Sequence, residues 1–303
     1  MHILVTGAGG FIGRSVVRKA RARGWRVTGV ARRACNEADR IADLRQPIQG
    51  WPTPDAIVHL AGGYAGSSAV ELARADLAIA RNLIAWDGRP GVRRWVLASA
   101  AEVYGVIHGE ADENCPCRPV IPYGRVKLAV EKMFQAAEFP NLAICRLGEV
   151  YGRDSRILRE LGGRLRRGFC LWPGDGRVNV SFLHVEDAAE ALLLACERAG
   201  PGCQTYNVTD DQPATWRHFL DCIAGLLGSQ RALYLPEWVA RCYARLEWST
   251  DRLFCRPEAV TPYVLRLLTT PKVLSSVRLR DQLGFRPQYP AIDSGLEEAL
   301  IGL

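Results

Sequence analysis

Residues 1–13 read MHILVTGAGGFIG. A short apolar run, Ile3-Leu4-Val5, leads through Thr6 to Gly7, Gly10 and Gly13, and helical spacing starts at once with Phe11, Ile12, Val16 and Val17. A strand that passes through a glycine turn into a helix aims the free N–H groups of that helix at whatever occupies the turn. The positive end of the helix dipole points the same way. The pyrophosphate of a dinucleotide suits that place. Gly7 then serves the tight turn, Gly10 the close approach of phosphate and Gly13 the packing of helix on strand. A glycine-rich strand–helix turn of purely structural kind is the bland alternative, and the rest of the chain weighs against it.

Working outward, strand patterns at 2–6, 25–31, 55–60, 92–98 and 142–146 alternate with helical patterns at 11–23, 69–86 and 122–137. Such alternation predicts a parallel sheet covered on both faces. The stretch GVIHGEADENCPCRPVI at 105–121 is irregular and rich in turn formers, like a loop over an active site. Further helices are expected over 156–168, 185–198 and 215–227, and a strand ending in Tyr206-Asn207-Val208 is expected to rejoin the sheet. From 235 to 248 the recurrence of Trp238, Cys242 and Leu246 predicts an amphipathic helix whose stripe faces the core.

With 303 residues, 48% of them apolar and 23% charged, the chain has ordinary globular composition and room for a large core. No apolar run reaches the length of a membrane span, so no membrane partner is expected. The first strand begins at residue 2, which leaves no room for a signal peptide. Ten cysteines lie scattered among apolar residues without zinc-ligand spacing, and only Cys115 and Cys117 are close together. Free thiols in a cytoplasmic protein are the expectation. The net charge of +7 comes mainly from arginines, including Arg18, Arg21, Arg23, Arg26, Arg164, Arg166 and Arg167. No groove-reading or stacking motif accompanies them, so solvated faces and anionic small molecules explain them better than nucleic acid does.

The second strand should end over the adenosine ribose. An acidic residue there selects NAD, whereas this chain has Ala31, Arg32 and Arg33. Arginine grips a 2′-phosphate bidentately, which favours NADP over NAD, although both arginines can also be plain loop residues. Asp43 and Leu44 fall near the adenine edge, and Leu60, Ala61 and Gly62 pass beside the pyrophosphate and ribose. Tyr123 and Lys127 stand four apart at the start of a helix, on one of its faces. A nearby ammonium favours the phenolate and lowers a tyrosine pKa toward the range of a useful acid/base.

At this point the chain resembles the extended short-chain dehydrogenase/reductase family, which includes NAD(P)-dependent epimerases and dehydratases. The resemblance rests on GAGGFIG at 7–13, VHLAG at 58–62, LASAAEVYG at 97–105, YGRVK at 123–127, EVYG at 149–152 and FLHVEDAAEAL at 182–192. LRDQLGFRP at 279–287 is similar to the family's closing segment. The resemblance implies an α/β fold, a Rossmann-type doubly wound parallel sheet with a smaller C-terminal substrate domain. Residues 1–147 and 183–210 would hold the cofactor, and 148–182 and 211–303 the substrate. It also implies Gly7, Gly10, Phe11, Ile12 and Gly13 at the cofactor, Tyr123 as general acid/base, Lys127 as its electrostatic partner and ligand of the ribose, and a homodimer. There are two departures. The family's serine or threonine, four residues before the tyrosine of VYG, is Ala100 here, with Ser99 as the neighbouring substitute, and Leu147 replaces a usual proline.

Three functions follow from this reading. The leading one is an NADP-dependent oxidoreductase acting on a secondary alcohol or ketone, with an apolar substrate implied by the likeness of residues 261–287 to 3β-hydroxysteroid dehydrogenase-like members. The second is a nucleotide-sugar epimerase, dehydratase or 4-ketoreductase, in which Arg164, Arg166, Arg167 and Arg177 meet a diphosphate. The third is a non-catalytic NADP-binding module, supported by Ala100 alone.

Overall fold

The computed structural model describes residues 1–63, 69–168, 170–210, 212–242 and 262–301. Its centre is a sheet of seven strands: β1 (His2–Thr6), β2 (Arg26–Ala31), β3 (Arg40–Ile41), β4 (Ala56–His59), β5 (Arg94–Ala100), β6 (Asn141–Leu147) and β7 (Gly202–Val208). They lie in the order β3-β2-β1-β4-β5-β6-β7, and every pairing is parallel. The direction of strand order reverses between β1 and β4, where open α/β sheets leave a crevice beyond the strand ends. β3 is too short to show as a pattern in the sequence.

Parallel strands need crossovers, and four helices supply most of the cover. α1 (Phe11–Ala22) and α5 (Val185–Arg198) pack on one face. There Ile3, Val5, Val58, Val96, Ala143 and Cys145 meet Val16, Val17 and Leu192. α2 (Ala69–Ala85) and α3 (Pro122–Ala136) pack on the other, where Leu4, Ile57, Trp95, Leu97 and Ile144 meet Leu83 and Phe134. Alternate residues of each strand thus feed the two layers of a first core, as a sheet buried on both sides requires.

The remaining chain builds a second core. α4 (Arg156–Arg166) and α6 (Trp216–Leu226) pack with the last helix of the chain through Trp172, Phe182, Trp216, Phe219, Ile223, Ile292 and Leu296. The rings of Phe182 and Phe219 stack at 4.7 Å. After α6 come α7 (Pro262–Thr269), α8 (Val277–Leu283) and α9 (Ile292–Leu300). Leu279, Leu283 and Phe285 leave this second half and pack into the first core.

The amphipathic helix expected over 235–248 is helical at 237–242, and its later part lies outside the described residues. Of its stripe, Trp238 is 69% exposed and Cys242 is also exposed, against the expected core-facing side, and Leu246 lies outside the described residues. The nine cysteines among the described residues are free thiols, as expected. No described helix is long and apolar enough to cross a membrane.

Candidate active site

β1 delivers the chain to Gly7, whose φ of +72° only glycine adopts without strain. Gly10 N donates to Gly7 O at 2.8 Å, closing the turn. A Cβ on Gly13 would run into that same carbonyl, and one on Gly7 would stand 2.8 Å from Ala61 N. The turn is therefore pressed between α1 and the end of β4. Leu60 N and Ala61 N donate to Thr6 Oγ1 at 3.1 and 3.2 Å, which locks Leu60, Ala61 and Gly62 against the turn. No side chain caps α1 at Gly10, and its first turn carries no acidic residue. α5, by contrast, starts with Glu186 and Asp187. The start of α1, with Phe11, Ile12 and Gly13, thus presents free N–H groups and no negative charge, which fits a pyrophosphate.

Arg32 and Arg33 leave β2 exposed, and neither makes a salt bridge among the described residues. The nearby acids are engaged elsewhere. Asp39 accepts from Gly29 N at 2.8 Å and pairs with Arg21, and Glu37 lies 4.0 Å from Arg14. Asp43 pairs with Arg45, which pulls its carboxyl down to about 2. Asp43 and Leu44 line a cavity of about 320 Å³ next to β3.

Tyr123 and Lys127 lie on one face of α3, with the ammonium 5.6 Å from the phenol ring centre. Lys127 Nζ donates to Asp76 Oδ2 at 3.3 Å, and Gly63 N donates to Asp76 Oδ1 at 2.8 Å. A Cβ on Gly62 would stand 3.0 Å from Lys127 Nζ, so glycine opens the space the ammonium occupies. Asp76, only 3% exposed, is a site residue that motif reading missed. The signal was present, since position 76 lies in register with the buried Leu72, Ile79, Ala80 and Leu83 of α2. His59, also missed, shares a 2.7 Å hydrogen bond with Thr6 Oγ1. Burial, with the Lys127 charge behind it, pushes this histidine down to about 3 and keeps it neutral.

A further cation holds two of the carboxylates that act on the phenol. Lys272, 3% exposed, donates to Glu102 Oε1 at 2.8 Å and to Glu149 Oε2 at 3.1 Å. The two carboxylates raise the Lys272 pKa against the pull of burial. No sequence pattern pointed to Lys272. Burial first, then Glu102, Asp76 and Glu149, drive the Tyr123 pKa well above the ordinary phenol value. The expected lowering by Lys127 is therefore outweighed, and the phenol holds its proton. Among the described residues the Tyr123 hydroxyl has no hydrogen-bond partner.

Ser99 faces α3, where its hydroxyl donates to Glu131. Arg146 clamps the same carboxylate at 3.1 and 2.8 Å and donates to Tyr104 OH at 2.9 Å. Ser99 is thus committed to a buried structural network and does not bond Tyr123. Ala100 is 5% exposed and offers no donor in its place. Leu147 pairs with Ala100 across β5 and β6 and is buried in the core, as a packing change would be. Arg164, Arg166 and Arg167 are exposed around the end of α4, where cations suit the helix dipole.

The model of the NAD dependent epimerase/dehydratase family matches residues 3–209. A 3-diazoavenalumate denitrifying reductase from a Streptomyces species is 29% identical, with 98% of this chain and 99% of that protein aligned. A Stigmatella aurantiaca protein, the 4-hydroxy-2-methyl-3-oxo-4-farnesyl-3,4-dihydroquinoline-1-oxide ketoreductase, is 27% identical over 94% of this chain and 92% of its own. In fold, the chain is similar to the human epimerase family protein SDR39U1, solved with NADPH. The TM-score is 0.79 at 22% identity, with both chains covered in full. The chain belongs to the NAD dependent epimerase/dehydratase family, within the extended short-chain dehydrogenases/reductases.

Proposed function

We propose that this protein is an NADP-dependent oxidoreductase that reduces a ketone to a secondary alcohol, with Tyr123 as the proton donor. The observation that carries the reading is the placement of Tyr123 and Lys127 on one helical face, with the ammonium held by Asp76 against Gly62. A protonated phenol is the form that reduction needs, because the substrate oxygen gains negative charge and must receive a proton. The turn from Gly7 to Gly13 holds the pyrophosphate, Leu60, Ala61 and Gly62 flank it, and Asp43 and Leu44 border the adenine. Arg32 and Arg33 hold the 2′-phosphate, with no acid between them to repel it. When bound, the nicotinamide supplies the hydride that reaches the carbonyl carbon. Lys127, oriented by Asp76, holds the ribose hydroxyls and stabilises the phenolate left after proton transfer. The reductase names of the two relatives support this direction.

The second reading, a nucleotide-sugar epimerase or ketoreductase, draws on a cavity of about 730 Å³ beside Gly9 and Phe11. Arg14, Arg18, Arg153 and Arg159 line it. Glu186 and Glu298 already pair with Arg18 and Arg153 there, which lessens its appeal to a diphosphate. Titrating tryptophan fluorescence with NADPH and with NADH separates a reductase from an epimerase, and turnover of a simple ketone against a nucleotide-linked 4-keto sugar separates the two kinds of reductase. Tighter binding of NADPH supports the reductase, whereas NAD retained through purification supports the epimerase.

A further inference from the structure

On the outer face of the second half, α6 and α9 bring together three side chains of different chemistry. His218 and Cys222 stand four apart on α6, hence on one face, and Asp293 belongs to the first turn of α9. His218 Nε2 lies 3.1 Å from Asp293 Oδ2. The Cys222 thiol donates to Asp293 Oδ1 at 3.3 Å and lies 3.8 Å from both ring nitrogens of His218. We propose that His218, Cys222 and Asp293 form a binding site for a thiophilic divalent cation, zinc foremost, that pins α9 to α6.

The spacing fits the ion. Zinc bonds of about 2.0–2.1 Å to nitrogen and oxygen and about 2.3 Å to sulfur put tetrahedral ligands roughly 3.3–3.6 Å apart. The three separations straddle that range. Small rotamer changes suffice to bring the ligands to metal distance, because the backbones are already in place. Thr215 accepts from His218 N at 3.1 Å and fixes the first turn of α6. Ile292 and Leu296 of α9 share a buried core with Phe219 and Ile223 of α6. Imidazole, thiolate and carboxylate together suit zinc or cobalt and disfavour magnesium and calcium, which take oxygen ligands. His218 is 50% and Asp293 59% exposed, which leaves a fourth position to water.

Proton balance follows from the same contacts. The Cys222 thiol donates to Asp293 Oδ1, so it carries a proton while no cation is bound. A bound cation forms the metal–sulfur bond as that proton leaves to solvent, and it relieves the crowding of negative charge.

The test uses the full chain, stripped with a chelator and titrated with cobalt(II). The expected result is a cobalt–thiolate charge-transfer absorption at one ion per chain. Zinc should displace the cobalt and raise the melting temperature. Cys222→Ser should abolish the band, and His218→Ala or Asp293→Asn should weaken binding by more than the roughly 10–100-fold that outer-shell partners command. Absence of the band, or a band that survives Cys222→Ser and so belongs to other cysteines, overturns the proposal. His218 and Asp293 are exposed and Cys222 is half-buried, and near-unchanged circular dichroism of the variants will show that each still folds.

Discussion

Tyr123 stands between one ammonium and three carboxylates, and the balance favours the protonated phenol. Reduction should therefore show no decline from loss of this proton up to about pH 10, the ordinary phenol value, because the Tyr123 phenol titrates above it. A pH profile of kcat measures this. Tyr123→Phe should lower kcat by roughly 10²–10⁴, the usual worth of a positioned proton donor, while NADPH affinity stays within a factor of about two. Lys272 holds Glu102 and Glu149 beside this phenol. Lys272→Met leaves two half-buried carboxylates without their cation and should lower stability at neutral pH by at most about 3–5 kcal/mol, seen in denaturant melts. Lys272→Arg should recover most of that loss. The raised lysine pKa fixes the sign: the contribution is full below the ordinary lysine value and fades only as pH rises through the higher folded value.

Among the elements, the strand–turn–helix at 1–22 was the most legible, because its chemistry is local. Gly7, Gly10 and Gly13 each answer to a neighbour within a few residues or to the segment that follows β4. Gly13→Ala would press a methyl group into the Gly7 carbonyl. We expect it to destabilise the protein by about 1–3 kcal/mol and to weaken NADPH binding in fluorescence titrations. The end of β2 was legible in composition but not in geometry. Arg32→Ala with Arg33→Ala should erase the preference for NADPH over NADH and leave NADH affinity almost unchanged. Asp76 was readable in principle, as a carboxylate on the apolar stripe of α2, but it belongs to no motif. The fate of Ser99 was not readable, because Glu131 and Arg146 reach it from two other elements. The stripe through Trp238 misled because periodicity shows amphipathicity and not which partner covers the apolar side.

At the scale of the molecule, alternating patterns sufficed for the parallel sheet, its order being the common outcome of right-handed crossovers. The second half was less legible, since its pairs of short strands join segments distant in sequence. Lys272, for example, reaches Glu102 from 170 residues away. Two largely separate cores imply separable effects. Phe219→Ala, in the second core, should cost about 3–5 kcal/mol in denaturant melts yet leave NADPH affinity nearly intact below the transition. The central claim concerns hydride and proton arriving together at a ketone. The decisive measurement is to supply NADPH deuterated at the transferable nicotinamide position with a panel of 3-oxo esters and cyclic ketones, then locate the label by mass spectrometry. One deuterium is expected at the carbinol carbon of a single stereoisomer, formed roughly 10²–10⁴-fold more slowly by Tyr123→Phe. NADPH that binds but is never oxidised, or UDP-glucose interconverted without net NADPH consumption, would contradict it.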